Sequence, residues 1–231
     1  MINIFWDFDG TLAYRDGMWS KTLLSLLQKN NINNVSLEDI KPYLTSGFTW
    51  HNFEYSHKEL FKGKTWHEYY ENHFYEIFFK IGIKEYTAKE LSKKVIDEYM
   101  DKSKWHIYDD VIDTLEKINV NKYKNYILSN HVPELYKIAE NTGINNYFCG
   151  IYSSANIGYE KPNINFYEYI LKEINVNKNN CIIIGDSYEA DIKGGENIGI
   201  KSILVRNDNK TGYKWYCKDL QNIMEKIEEI G

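Results

Sequence analysis

The rhythm of apolar and polar positions changes twice along the chain. Residues 1–9, MINIFWDFD, are an apolar run that stops at acids, the pattern of a strand buried on both faces. From about Arg15 to about Lys104 the spacing turns helical. DGMWSKTLLSLLQKN carries Leu23, Leu24, Leu26 and Leu27 at helical intervals. SLEDIKPYL opens on Ser36 with Asp39 three residues on, a helix start, and Pro42 limits its regularity. TWHEYYENHFYEIFFKIG predicts a long aromatic helix closed at Gly82. TAKELSKKVIDEYM predicts another, with Thr87 as its cap and Glu90 completing a capping box.

Beyond Lys104 strands and helices alternate. YDDVIDTLEKI is a helix and NYILSN a short strand. VPELYKIAENTG is a helix with Pro133 in its first turn and Gly143 just past its end. CGIYSSANIG reads as strand and loop, NINFYEYILKEI as a helix, NNCIIIGDS as a strand and EADIKGGENIG as a short helix. IKSILVRN is a further strand, and KDLQNIMEKIEEIG an amphipathic helix. Such alternation predicts an α/β fold, a doubly wound parallel sheet with helices on both faces. The helical segment interrupts that sheet after its first strand.

Ligands of such sheets bind beyond the carboxyl ends of the strands. The distinctive residues fall there: Asp7 and Asp9 after the first strand, Ser129 and Asn130 after YIL, Asp186 after CIIIG, and Lys161 in the loop after CGIYSS. Two acids at positions i and i+2 of a strand point the same way, which is electrostatically expensive unless a positive charge joins them.

Composition narrows the reading. The 231 residues carry 28 basic and 33 acidic side chains, net −5, which argues against a nucleic-acid binder with a basic face. No apolar run approaches the roughly 20 residues that span a membrane. The first residues lack a basic leader segment and run directly into acids, so we expect a soluble, cytoplasmic protein with no membrane partner. Cys149, Cys181 and Cys217 are far apart and odd in number, which predicts reduced thiols. Nothing in the pattern fixes an oligomeric state.

DFDGT at 7–11, LSN at 128–130, GYEKP at 158–162 and GDSYEAD at 185–191 together resemble the four motifs of the haloacid dehalogenase-like (HAD) superfamily, in that family's order. The resemblance covers the whole chain. It implies a Rossmann-like core of residues 1–14 and 105–231 and an inserted α-helical cap of residues 15–104. It further implies a Mg²⁺-dependent phosphatase acting on a small soluble phosphate ester through an aspartyl-phosphate. Asp7 would be the nucleophile and Asp9 the acid and base. Asp7, Asp186 and the main-chain carbonyl of Asp9 would hold Mg²⁺, with Asp191 orienting Lys161 or metal-bound water. Ser129, the backbone N–H of Asn130, and Lys161 would hold the phosphoryl oxygens. The chemistry agrees: a carboxylate attacks an anionic ester only if a hard cation neutralises the charge.

Two other functions fit the same pattern, a phosphomutase resembling β-phosphoglucomutase and a silent binding or regulatory protein. Asp9 speaks against dehalogenase and phosphonatase chemistry, whose family members lack an acid there. Aromatics of the helical segment, among them Trp50, Phe53, Trp66, Tyr70, Phe74 and Phe78, are read as filling its own small core. His51, His57, His67 and His73 show no spacing for a helical zinc pair, and His131 follows the second motif.

Overall fold

The computed structural model describes residues 2–60, 64–121 and 123–230. The strands are β1 Asn3–Trp6, β2 Ala13–Arg15, β3 Trp105–Ile107, β4 Lys124–Ser129, β5 Gly150–Ser153, β6 Cys181–Gly185, β7 Lys201–Val205 and β8 Tyr216–Cys217. Six of them form one parallel sheet in the order β5-β4-β1-β6-β7-β8, so β1 is central. Its neighbours on both edges leave no free backbone groups, and its four residues are all buried. That is why MINIFW shows no alternation.

Alternate residues of the central strands feed two cores. Ile4, Trp6, Ile127, Ile182 and Ile184 pack on one face, with Leu115 and Ile118 of α6 (Val111–Val120), Leu135 and Ile138 of α7 (Leu135–Asn141) and Ile223 and Ile227 of α11 (Ile223–Ile230). Phe5, Tyr126, Leu128 and Ile183 pack on the other, with Phe166 and Ile170 of α9 (Ile164–Glu173) and Ile198 of α10 (Lys193–Ile198). A one-turn helix, α8 (Ser154–Ile157), follows β5 where the sequence predicted only a loop.

The helical stretch lies between β2 and β3, which pair antiparallel from Ala13↔Ile107 to Arg15↔Trp105. Its helices are α1 Met18–Lys29, α2 Leu37–Ile40, α3 Lys64–Lys80, α4 Glu85–Ser92 and α5 Val95–Tyr99. The helix start expected at Ser36 forms, closed by a capping box with Asp39, and the chain tightens to a 3₁₀ turn at Pro42. The expected helix at TAKELSKKVIDEYM differs. It starts earlier, at Glu85 after Lys84, and breaks at Lys93–Lys94 into α4 and α5, so Thr87 lies inside a helix rather than at its cap. Pro133 likewise precedes α7, which begins at Leu135. The pattern also gave no warning of β2, β3 or β8, which are two or three residues long and too short to show a period. No helix among the described residues is long and apolar enough to cross a membrane.

Candidate active site

Register brings the sequence-predicted residues to one edge of the sheet. Trp6 of β1 pairs with Ile127 of β4 and Ile184 of β6. Asp7 therefore lies one residue past a row from which Ser129 and Asp186 are each two residues away. The Asp7 N–H continues the ladder, donating to the Ile184 carbonyl at 2.9 Å. The chain then turns sharply, with the amides of Leu12 and Ala13 both reaching the Phe8 carbonyl. Gly10 serves this turn at φ +81°, where any Cβ would also stand 2.4 Å from Asp186 Oδ2. The turn thus sets the first acidic motif against the last.

The positive charge that the paired acids require is Lys161. Its Nζ donates to Asp7 Oδ1 at 2.7 Å and to Asp191 Oδ1 at 2.6 Å, and the lysine is only 3% exposed. Burial alone would lower its pKa, but the carboxylates of Asp191 and Asp7 outweigh that and raise it, so the ammonium stays charged. Asn130 fixes the lysine's backbone: its Oδ1 accepts from the Lys161 N–H at 2.7 Å and its Nδ2 donates to the Lys161 carbonyl at 3.0 Å. The Asn130 side chain is thereby spent on positioning Lys161, a role not foreseen from the sequence. Ser129 is buried at the end of β4 and lines the same cavity.

Asp186 is the acid left over. Thr11 Oγ1 donates to its Oδ1 at 3.3 Å, and no cationic side chain pairs with it among the described residues. Burial, then the neighbouring charges of Asp7 and Asp191, push its pKa up to about 8. Asp191 is pushed up to about 6, chiefly by burial, with Lys161 pulling the other way. It sits in a π-turn, Tyr188–Ile192, and its Oδ2 accepts from the Ser187 N–H at 3.1 Å. Gly185 permits this, since a Cβ there would stand 2.1 Å from Asp191 Oδ2. Oxygens of Asp7, Asp186 and Asp191 lie within 4.8 Å of one another. Three carboxylates against one lysine leave excess negative charge, and an all-oxygen donor set suits a hard divalent cation.

Asp9 is placed differently. Its Oδ2 lies 3.6 Å from His131 Nε2, and its Oδ1 is buried without a hydrogen-bond partner among the described residues. His131 is itself buried, 3.4 Å from the hydroxyl of Tyr99. Asp7, Asp9, Ser129, Asn130, Lys161, Asp186 and Asp191 all line one cavity of about 500 Å³. The helical segment closes its far side with Trp19, Trp50, Phe53, Trp66 and Tyr99. Trp19 and Tyr99 escaped the sequence reading, because an aromatic at helical spacing looks the same whether it faces a core or a cavity.

Several polar contacts tie this segment to the rest of the chain, among them the His57 N–H donating to the Gly158 carbonyl at 2.8 Å. Thr49 Oγ1 donates to Glu160 Oε1 at 2.5 Å, His67 Nε2 lies 2.8 Å from Glu134 Oε1, and Asn163 Nδ2 donates to the Phe53 carbonyl at 2.8 Å. Glu160 is almost fully buried beside Lys161, and burial raises its pKa.

Comparison with known proteins identifies the family of the chain. The family model of haloacid dehalogenase-like hydrolases matches residues 4–205. YfnB of Bacillus subtilis, a HAD-hydrolase, is 31% identical over 123 residues, covering 52% of this chain and 50% of that one. Its magnesium-bound crystal structure superposes with a TM-score of 0.78 at 22% identity, covering 98% of both chains. The pyrimidine 5′-nucleotidase PynA of Streptococcus pneumoniae is 32% identical over 132 residues, 50% of this chain and 55% of that one. A glyceraldehyde 3-phosphate phosphatase of Methanothermobacter thermautotrophicus is 26% identical over 102 residues, 44% of this chain and 45% of that one. The sequence matches thus span about half the length of these curated relatives.

Proposed function

The chain belongs to the haloacid dehalogenase-like hydrolases, and from that membership we propose that it is a phosphatase, hydrolysing a small phosphomonoester through an aspartyl-phosphate on Asp7. The observation that carries this reading is the Lys161 ammonium held between Asp7 and Asp191 beside the unpaired carboxylate of Asp186. A nucleophile, a fixed positive charge and a donor set suited to a hard cation meet at one cavity wall. The phosphatases among the relatives support the reaction class, and the magnesium in YfnB supports the metal.

Asp7, Asp186 and the main-chain carbonyl of Asp9 would hold Mg²⁺, which, when bound, offsets the charge of the ester and polarises its oxygens. Asp7 attacks phosphorus, and the ester oxygen departs. Asp9 donates a proton to that oxygen, then takes one from the water that hydrolyses the acyl phosphate. Lys161 sets its charge against the phosphoryl oxygens, and the Ser129 hydroxyl and Asn130 backbone N–H add donors. Asp191 and the side chain of Asn130 hold the lysine in line. In this reading residues 15–104 are a cap, hinged at the β2/β3 ribbon, that excludes water and selects the leaving group.

The test is phosphate release from a broad phosphomonoester panel. We expect turnover with Mg²⁺, none with chelator, and none for Asp7→Asn protein that still folds. Isomerised sugar phosphate in place of free phosphate would instead establish a mutase. No product from any ester would refute the enzymatic reading.

A further inference from the structure

The cavity has two unlike walls. The sheet side carries the charges, while the cap side is built from Trp19, Trp50, Phe53, Trp66 and Tyr99. Trp19, Trp66 and Tyr99 are largely buried in the helical segment's own core, whereas Trp50 and Phe53 are half-buried and open to the cavity. The same core holds Phe48, Tyr70, Phe74 and Phe78, each at most 1% exposed. The cavity tryptophans each rest on another ring. Trp19 stacks on Tyr99 at 4.0 Å with 8° between planes, Trp50 on Phe48 at 4.3 Å with 17°, and Trp66 packs on Tyr70 at 4.2 Å. Each has one face fixed by another ring, so the wall is already ordered before any ligand arrives.

The indole N–H groups separate structural from cavity tryptophans. Trp6 Nε1 donates to Asn125 Oδ1 and Trp105 Nε1 to the Tyr99 carbonyl. Trp19, Trp50 and Trp66 have no acceptor among the described residues, yet none of their indole nitrogens is sealed away as a buried, unpaired group. An indole N–H that opens on the cavity can donate to an acceptor on its occupant. Charge is absent from the described part of this wall. The charged residue at the cavity edge outside the catalytic set is Glu189, an anion. A second anionic group on the substrate would therefore meet indoles and a carboxylate, with nothing described to neutralise it.

We infer that the cap wall is a stacking subsite, and that the leaving alcohol carries a flat, uncharged heterocycle with hydrogen-bond acceptors, as in a nucleoside monophosphate. Trp50, half-buried with one ring face on Phe48, is the platform. The inference rests on the phosphatase reading for the orientation of the ester, but its binding half stands without turnover. The cavity volume, about 500 Å³, lies within the range of ordinary small-molecule sites.

The experiment compares uridine 5′-monophosphate with ribose 5-phosphate, the same ester without the ring, and with phosphoglycolate. Binding is followed by tryptophan fluorescence on Asp7→Asn protein with Mg²⁺, where no turnover intervenes. We expect the nucleotide to bind roughly 5- to 150-fold tighter than ribose 5-phosphate, the range that base–aromatic stacking supports. In Asp7→Asn/Trp50→Ala protein the preference collapses toward about one, and with Trp50→Phe much of it returns. Equal affinity for the two esters, or tighter binding of phosphoglycolate, would overturn the subsite whether or not wild-type protein hydrolyses anything. Selective nucleotide binding without phosphate release from wild-type protein would uphold the subsite and refute the phosphatase reading instead.

Discussion

Lys161 neutralises two buried carboxylates at once, so its removal is a stability change as well as a catalytic one. Lys161→Met leaves Asp7 and Asp191 facing each other without a counter-charge. We expect a loss of about 3–5 kcal/mol in denaturant unfolding, the usual penalty for stripping one partner from a buried ion pair. Asp9→Asn should behave oppositely, with near-native stability and a chemical defect. Its loss of turnover should be smallest for aryl phosphates, whose leaving groups depart without a proton, and larger by orders of magnitude for alkyl esters. Equal losses for both ester types would count against Asp9 as the acid. The acids, the lysine and the hydroxyl that meet here stood out in the sequence by type, at strand ends and in the loops and turns that follow them. The supporting contacts did not. That the Asn130 side chain brackets the Lys161 backbone, or that His131 faces Asp9, follows from loop geometry, which a single sequence does not encode.

At the scale of elements, one of the contacts between the helical segment and the sheet domain is made by a buried carboxyl. Glu160 accepts from Thr49, which also bonds the Tyr70 hydroxyl, while Glu160 Oε2 has no hydrogen-bond partner among the described residues. Burial raises the pKa of Glu160 above its unfolded value. Its contribution to folding is therefore complete below the unfolded value, 4.5, and is lost as pH rises through the folded one. Glu160→Gln, which cannot ionise, should gain stability relative to wild type as pH climbs from about 4.5 toward neutrality, and the two unfolding curves should converge in acid. Divergence in the other direction would contradict the placement of this carboxyl. Thr49→Val should cost about 1–3 kcal/mol at acid pH by leaving Glu160 less satisfied. The long elements around this contact were predictable, since α1, α3 and α9 repeat their apolar positions over several turns. The short ones were not. The ribbon β2/β3 spans three residues a side, and α4 and α5 divide at Lys93–Lys94 because packing against the neighbouring helices overrides a continuous helical pattern.

Taken as a whole molecule, the protein holds three acidic residues within 4.8 Å of one another at the carboxyl edge of its sheet, with one lysine to balance them. In the reading proposed above, a divalent cation would relieve the repulsion among them. Mg²⁺ should therefore raise the thermal midpoint, by the equivalent of about 2.7 kcal/mol at one hundred times its dissociation constant. Asp186→Asn should melt higher than wild type without metal and show no Mg²⁺ response, trading function for stability. A full Mg²⁺ response in that variant would move the cation elsewhere. The central claim, however, is covalent. Protein mixed with a turned-over phosphomonoester and Mg²⁺, quenched in acid and reduced with borohydride, should yield homoserine in place of aspartate at residue 7, read by tandem mass spectrometry. Homoserine at residue 7 is the predicted result. Phosphate release with residue 7 still aspartate in every quenched sample would contradict it.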